Sequence, residues 1–255
     1  MRWLISIIAL GALLALAPMA PGGEVGDACG APEEFVSTDA SLAQFAAAVT
    51  AGRPVDILAV GSATTVGSVT ANGPSATQAG SFPWQMLNAL RGALPSVEFR
   101  LTIRGGRGMT AEDMLPLIKT ALKQQHFALV MWQTGTVEAV RGLQPDGMLT
   151  VLHAGADAVR DSNADLVLID SQFSRFLRAN TDLDPYESVM QQVATMPGVA
   201  LFHRFDLMRA WASDGRIDLE RTPKAERDKA LDELNTCLGK ALARFVLSGA
   251  DIGKR

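Results

Sequence analysis

Val55-Asp56-Ile57-Leu58-Ala59-Val60 runs straight into Gly61-Ser62-Ala63-Thr64-Thr65-Val66-Gly67. The first six residues form a short apolar run with no polar alternation, the pattern of a strand buried on both faces of a parallel sheet. The glycine that ends the run opens a polar stretch, residues 62–81, which reads as a long loop leaving that strand. In a sheet of this kind ligands gather where strands end and loops begin, so Gly61 marks the first place to look for a site.

The same rhythm extends in both directions. Upstream, residues 41–50 carry helical spacing behind a cap at Asp39 or Ser41. Downstream, Phe82, Met86, Leu87, Leu90 and Leu94 predict a helix over 82–94, stopped by Pro95. Strands are expected at 97–103, 127–132, 166–170 and 199–202, with helices at 110–122, 148–160, 185–195, 205–211 and 223–247. Five short apolar strands alternating with helices predict an α/β three-layer αβα sandwich, built on a flavodoxin-like parallel sheet of about five strands. No linker-like segment interrupts it, so residues 29–248 are expected to form a single domain. Met86, Met114, Met190 and Met208 fall at apolar helical positions and read as core filling.

Composition closes off several function classes. The 255 residues are 48% hydrophobic and 20% charged, which fits a globular chain rather than a disordered one. Lys and Arg number 23 against 27 Asp and Glu, a net charge of -4 that gives no basic footprint for nucleic acid. One tyrosine, Tyr186, and 6% aromatics make no stacking platform for single strands. His126, His153 and His203 show neither H-x-x-x-H spacing nor a nearby carboxylate cluster suited to zinc, so the sequence predicts neither a metal nor a cofactor. His203 follows the last strand and is the one histidine placed to act as a base.

Residues 1–20, MRWLISIIALGALLALAPMA, set Arg2 before an apolar run and then small residues, the shape of a secretory signal; the competing reading is an uncleaved N-terminal anchor. Export predicts a periplasmic or secreted protein, with no membrane contact beyond that segment. In an oxidising compartment Cys29 and Cys237, the only two cysteines, are expected to pair. Closing so long a loop is worth up to about 5 kcal/mol in the chain-entropy description.

Three glycine-bearing blocks follow successive strands. Gly61-Ser62-Ala63-Thr64-Thr65-Val66-Gly67 resembles the first block of the SGNH/GDSL hydrolases, G-x-S-x-x-x-G. Arg104-Gly105-Gly106-Arg107-Gly108-Met109-Thr110 is similar to their second block, whose last glycine supplies an oxyanion N–H. Trp132-Gln133-Thr134-Gly135-Thr136-Val137-Glu138 resembles the third, W-Q-x-G-T-N-D in exported bacterial members. Cys29-Gly30-Ala31-Pro32 and Gly52-Arg53-Pro54 match those members as well, and the likeness covers residues 29–247. It implies the SGNH hydrolase fold, a serine esterase ancestry, and a cleft built around Gly61, Gly108 and Gly135. Acylated carbohydrates, envelope esters or other small esters are the ligands it implies.

The catalytic positions depart from that pattern. The nucleophilic serine falls on Ala63 and the oxyanion asparagine on Val137. The closing D-x-x-H has no counterpart; counting back from Cys237 places Glu226 and Lys229 there. Alanine carries no nucleophilic atom and valine donates no hydrogen bond, while lysine is ordinarily protonated at neutral pH. The substitutions predict a catalytically silent member. The alternative is an esterase or acyl transferase using a non-standard nucleophile such as Ser62. Ser62 is otherwise expected to be a loop or helix-capping hydroxyl aimed away from the oxyanion donors. Asp170 and Gln172, in the Asp170-Ser171-Gln172-Phe173 turn after the fourth strand, read equally as a plain turn or as groups for a polar ligand such as a sugar.

Overall fold

The computed structural model describes residues 29–67 and 80–253. The expected signal at 1–20 and most of the loop expected at 62–81 lie outside the described residues. In chain order the elements are α1 (Glu33–Val36), α2 (Ala43–Thr50), β1 (Val55–Gly61), α3 (Ala63–Val66), α4 (Phe82–Ala93), β2 (Phe99–Gly105) and α5 (Ala111–Gln124). They continue with β3 (Leu129–Gln133), α6 (Thr136–Arg141), α7 (Pro145–Asp161), β4 (Asp165–Ile169), α8 (Arg175–Asn180) and α9 (Asp184–Val193). The last are β5 (Val199–Phe202), α10 (Arg204–Ser213) and α11 (Arg227–Gly249), the latter preceded by a 3-10 turn at Lys224–Glu226.

The strands form one parallel sheet in the order β2-β1-β3-β4-β5. Alternation along each strand assigns its side chains to one of two cores. Ile57, Ala59, Leu129, Met131, Val167 and Ile169 face α2, α4, α10 and α11. Leu58, Val60, Val130, Trp132, Leu166 and Leu168 face α5, α7 and α9. Both faces of the central strands are therefore apolar, which is why their sequences show no polar alternation. The three-layer sandwich expected from the sequence is the observed architecture, and the four core methionines are all buried.

Local details explain where element ends fall. Thr110 caps α5 as expected: its Oγ1 accepts from the Asp113 N–H at 3.3 Å, and Asp113 Oδ2 accepts from the Thr110 N–H at 2.9 Å. The cap expected for α2 at Asp39 or Ser41 is not used. Leu42 takes that place, and the acceptor comes from across the fold: Asp165 Oδ2, in β4, receives the Phe45 N–H at 2.8 Å. The polar stretch after β1 opens as a helical turn, α3, rather than as loop.

Two features lock the C-terminal helix in place. Cys29 and Cys237 form a disulfide spanning 208 residues, as export chemistry predicted. Gly239 sits where α11 meets α4. A Cβ there would lie 2.4 Å from Gln85 Cβ and 2.6 Å from the Met86 nitrogen, so only glycine allows this approach.

Candidate functional site

The carboxyl ends of the five strands converge on one edge of the sheet, and every block singled out in the sequence lies there. At β1 the chain ends its strand at Gly61, in register with Gly105 of β2. The Gly106 N–H donates to the Gly61 carbonyl at 3.2 Å. Gly105 has φ +121°, and a Cβ on it would fall 1.9 Å from the Gly61 oxygen, so the two glycine turns touch backbone to backbone. Gly108 has φ +74° and faces the Arg141 guanidinium, whose Nη2 lies 3.3 Å from where its Cβ would be.

Ala63, at the position of the family's nucleophile, is the first residue of α3, and its methyl group is exposed. The hydroxyls around it turn inward onto one group. Gln133 is 1% exposed. Its Oε1 accepts from the Ser62 N–H at 3.1 Å, Ser62 Oγ at 2.9 Å and Thr65 Oγ1 at 3.1 Å, with Thr64 Oγ1 at 3.4 Å. Ser62 stands at the capping position of α3, yet its side chain caps nothing and donates to Gln133 instead. An amide oxygen is no base, so this bond orients the Ser62 hydroxyl without activating it.

The third block is held by Glu138, which is 2% exposed. Its carboxylate accepts from Thr134 Oγ1 at 2.8 Å, from the Gly135 N–H at 3.0 Å and, through a short contact, from the Ala111 N–H. It thereby ties the β3 exit to the start of α5, with Gly135 at φ +92°. Val137, half-buried in the first turn of α6, presents only methyl groups where the family has its asparagine. Lys229 and Glu226 are both exposed, at the start of α11 and on the 3-10 turn before it.

At β4 and β5 the fold assembles a group that linear spacing does not reveal. Asp170 follows β4 and is 2% exposed; His203 follows β5; Glu187 projects from α9. One ligand atom of each lies within 4.8 Å of the others. The sequence shows no carboxylate cluster around His203, only Asp206 three residues on, and the fold brings two more carboxylates to it. Asp170 Oδ1 accepts the Phe205 N–H at 2.8 Å, while its Oδ2 faces His203 Nδ1 at 3.7 Å. Contact with Asp170 holds the His203 imidazole above its ordinary pKa, with partial burial opposing. Burial pushes the Asp170 carboxyl upward, and burial followed by the neighbouring Asp170 does the same to Glu187. Arg204, 2% exposed, is drawn down to about 10 by burial; it donates through Nη1 to Thr64 Oγ1 at 3.1 Å and lies 5.8 Å over the Phe82 ring.

A small pocket lined by Gly135, Asp170, Ser171, Tyr186, Glu187 and Met190 adjoins this group. Of the residues expected from the sequence, Gly61, Ser62, Ala63 and Gly108 thus share the β1–β2 end, and Asp170, His203 and Gly135 the β3–β5 end. Gln172 is half-buried two residues beyond Asp170, outside the pocket lining. Sequence reading missed Glu187 and Arg204. Neither sits in a motif, and a charged residue in a helical pattern gives no sign of being turned inward.

Comparison with known proteins gives the same frame. Axe2, an acetylxylan esterase from Geobacillus stearothermophilus determined as a mutant, superposes with a TM-score of 0.58 at 15% identity, covering 78% of this chain and 94% of that one. The esterase EstA from Pseudoalteromonas sp. gives 0.51 at 19% identity, over 70% and 93%. AlinE4, an SGNH-hydrolase family esterase, gives 0.51 at 21% identity, over 70% and 91%. No curated protein matches the sequence. The pattern of the Non-GDSL lipase-like family matches residues 28–252, nearly the whole described chain. By that match the chain belongs to the non-GDSL lipase-like family, on a fold shared with SGNH-hydrolase esterases.

Proposed function

We propose that this is an exported lipase-like protein that has lost serine-dependent ester hydrolysis and keeps its cleft to bind a small ester or an acylated carbohydrate. One observation carries the reading: the nucleophile position is the bare methyl of Ala63, and the neighbouring hydroxyls of Ser62 and Thr65 are committed to the amide oxygen of Gln133. A serine esterase needs a hydroxyl, a base to take its proton and donors for the oxyanion. Here Val137 removes one donor, and Lys229 stands exposed at the start of α11.

The architecture that would seat a ligand persists. Gly105, Gly108 and Gly135 keep the positive-φ turns at the strand ends that shape the cleft, and buried Glu138 fixes Gly135 by accepting its N–H. The acetylxylan esterase among the structural neighbours makes acetylated xylo-oligosaccharides the first ligands to try. The disulfide between Cys29 and Cys237 supports an oxidising compartment, and among the described residues no helix is long and apolar enough to cross a membrane.

The test is intact-mass analysis after incubation with a fluorophosphonate, alongside a thermal-shift screen with acetylated xylo-oligosaccharides and short-chain esters. The expected result is no covalent adduct and a raised Tm; ligand at a hundred times its Kd adds about 2.7 kcal/mol. A stoichiometric adduct on Ser62 or another hydroxyl overturns the reading and identifies an active esterase or acyl transferase.

A further inference from the structure

We propose that Asp170, Glu187 and His203 form a binding site for one divalent metal ion of the zinc class, beside Gly135 at the β3–β5 end of the cleft. The site is independent of the ligand reading above, since it uses none of the residues at the family's nucleophile or oxyanion positions.

Geometry is the first support. The three residues come from three separate elements, yet one ligand atom of each lies within 4.8 Å of the others. Two atoms each about 2.1 Å from a shared ion and 3.7 Å apart would subtend an angle of about 120°, close to the tetrahedral range of zinc sites. That separation is too long for a hydrogen bond between them.

The second support is an unmet need at the same spot. Asp170 is 2% exposed, and its Oδ2 is buried with no hydrogen-bond partner; His203 Nδ1 is buried and unpartnered as well. These two atoms face one another. Buried polar atoms are almost always hydrogen-bonded, so two that lie in ion-pair range of each other but beyond hydrogen-bond reach leave a need that a shared cation would meet. Asp170 is meanwhile fixed by its other oxygen, which accepts the Phe205 N–H at 2.8 Å. A carboxylate anchored in this way presents its free oxygen without losing side-chain entropy on binding.

The donor set selects the metal. Two carboxylates and an imidazole suit zinc or manganese, whereas magnesium and calcium take oxygen ligands alone. Glu187 is half-buried and lines the small pocket next to Gly135, so the remaining coordination position opens toward that pocket. The buried Arg204 interacts with Asp170 through its charge and offsets part of the negative charge there.

The full chain, stripped with EDTA, is titrated with zinc sulfate by calorimetry, together with the Glu187→Gln, His203→Gln and His153→Gln variants. One equivalent is expected to bind. Affinity falls by at least about tenfold in the first two variants and is unchanged in the third. In the native protein, manganese(II) is expected to broaden the His203 imidazole NMR resonances selectively, a readout that needs no variant to fold. Absence of zinc binding at millimolar concentration overturns the proposal. So does affinity unaffected by both Glu187→Gln and His203→Gln, or broadening confined to His126 and His153.

Discussion

Arg204 Nη1 donates to Thr64 Oγ1 at 3.1 Å, so a guanidinium rooted just past β5 reaches the turn just past β1. In the sheet order β3 and β4 lie between those two strands, and the bond therefore crosses the carboxyl edge on which the candidate site is built. Arg204 is 2% exposed and leaves its Nε without a partner. An expensive buried cation persists where it offsets a buried anion, and Asp170 is that anion.

Arg204→Met is accordingly expected to destabilise the protein by about 3 kcal/mol at neutral pH, because it removes a buried cation that, with His203, faces Asp170, and takes the donor away from Thr64 Oγ1. Arg204→Met combined with Asp170→Asn is expected to recover part of that loss. Urea unfolding of the two single variants and the double variant measures the coupling. Additive effects would show that the two charges do not support each other.

The disulfide acts over a much longer range. Cys29 and Cys237 enclose a separation of 208 residues, for which loop-closure entropy gives up to about 5 kcal/mol. Arg216 Nη1 also donates to the Gly30 carbonyl at 2.6 Å and Arg244 Nη2 to Glu33 Oε2 at 2.7 Å, so the N-terminal segment stays tethered when the sulfurs are removed. Cys29→Ser with Cys237→Ser is expected to lower stability by an amount approaching, but below, that ceiling. Thermal unfolding with and without reductant checks it: the native protein should fall to the level of the double variant, which should itself not respond.

The strands were legible because a doubly covered parallel sheet leaves an unmistakable mark, runs such as Val55–Gly61 with no polar alternation. The glycine turns were legible because Gly61 and Gly105 approach too closely for any side chain. What escaped the sequence is tertiary by nature. The cap of α2 comes from Asp165, 120 residues away from Phe45, so no local signal could announce it. The Asp170, Glu187 and His203 group escaped for the same reason: its members are brought together by the crossover from β4 through α9 to β5 rather than by spacing. Ser62 shows a third limit. Its position suggested a cap, and the buried Gln133 out-competed the helix N-terminus for its hydroxyl.

Ala63→Ser restores the missing hydroxyl but nothing else. Val137 still offers no donor, a loss worth about 100-fold or more in rate by itself. No imidazole belongs to the β1–β2 end where Ala63 lies: His203 follows β5 and faces Asp170. Hydrolysis of p-nitrophenyl acetate by Ala63→Ser is therefore expected to stay at the level of the native protein. Robust turnover would mean that a base reaches α3 by a route the fold does not display.

Asp165 sets the last expectation, a pH dependence of stability. Burial in β4 pushes its carboxyl up to about 6, although the Phe45 and Gln44 N–H groups partly oppose the shift. In the unfolded chain the same group titrates near about 3.9, so the folded state holds the proton more tightly. That contribution is fully present below about pH 4 and is lost as pH rises through about 6. Asparagine keeps an oxygen for the Phe45 N–H but has no proton to lose. Asp165→Asn should therefore compare least favourably with the native protein near pH 4, and the comparison should shift in its favour as pH rises through 6. Urea unfolding at closely spaced pH values measures this directly. A difference between the two proteins that stays flat over that interval would show that Asp165 is ionised in the fold at ordinary carboxylate pH, held by the α2 amides rather than neutralised by burial.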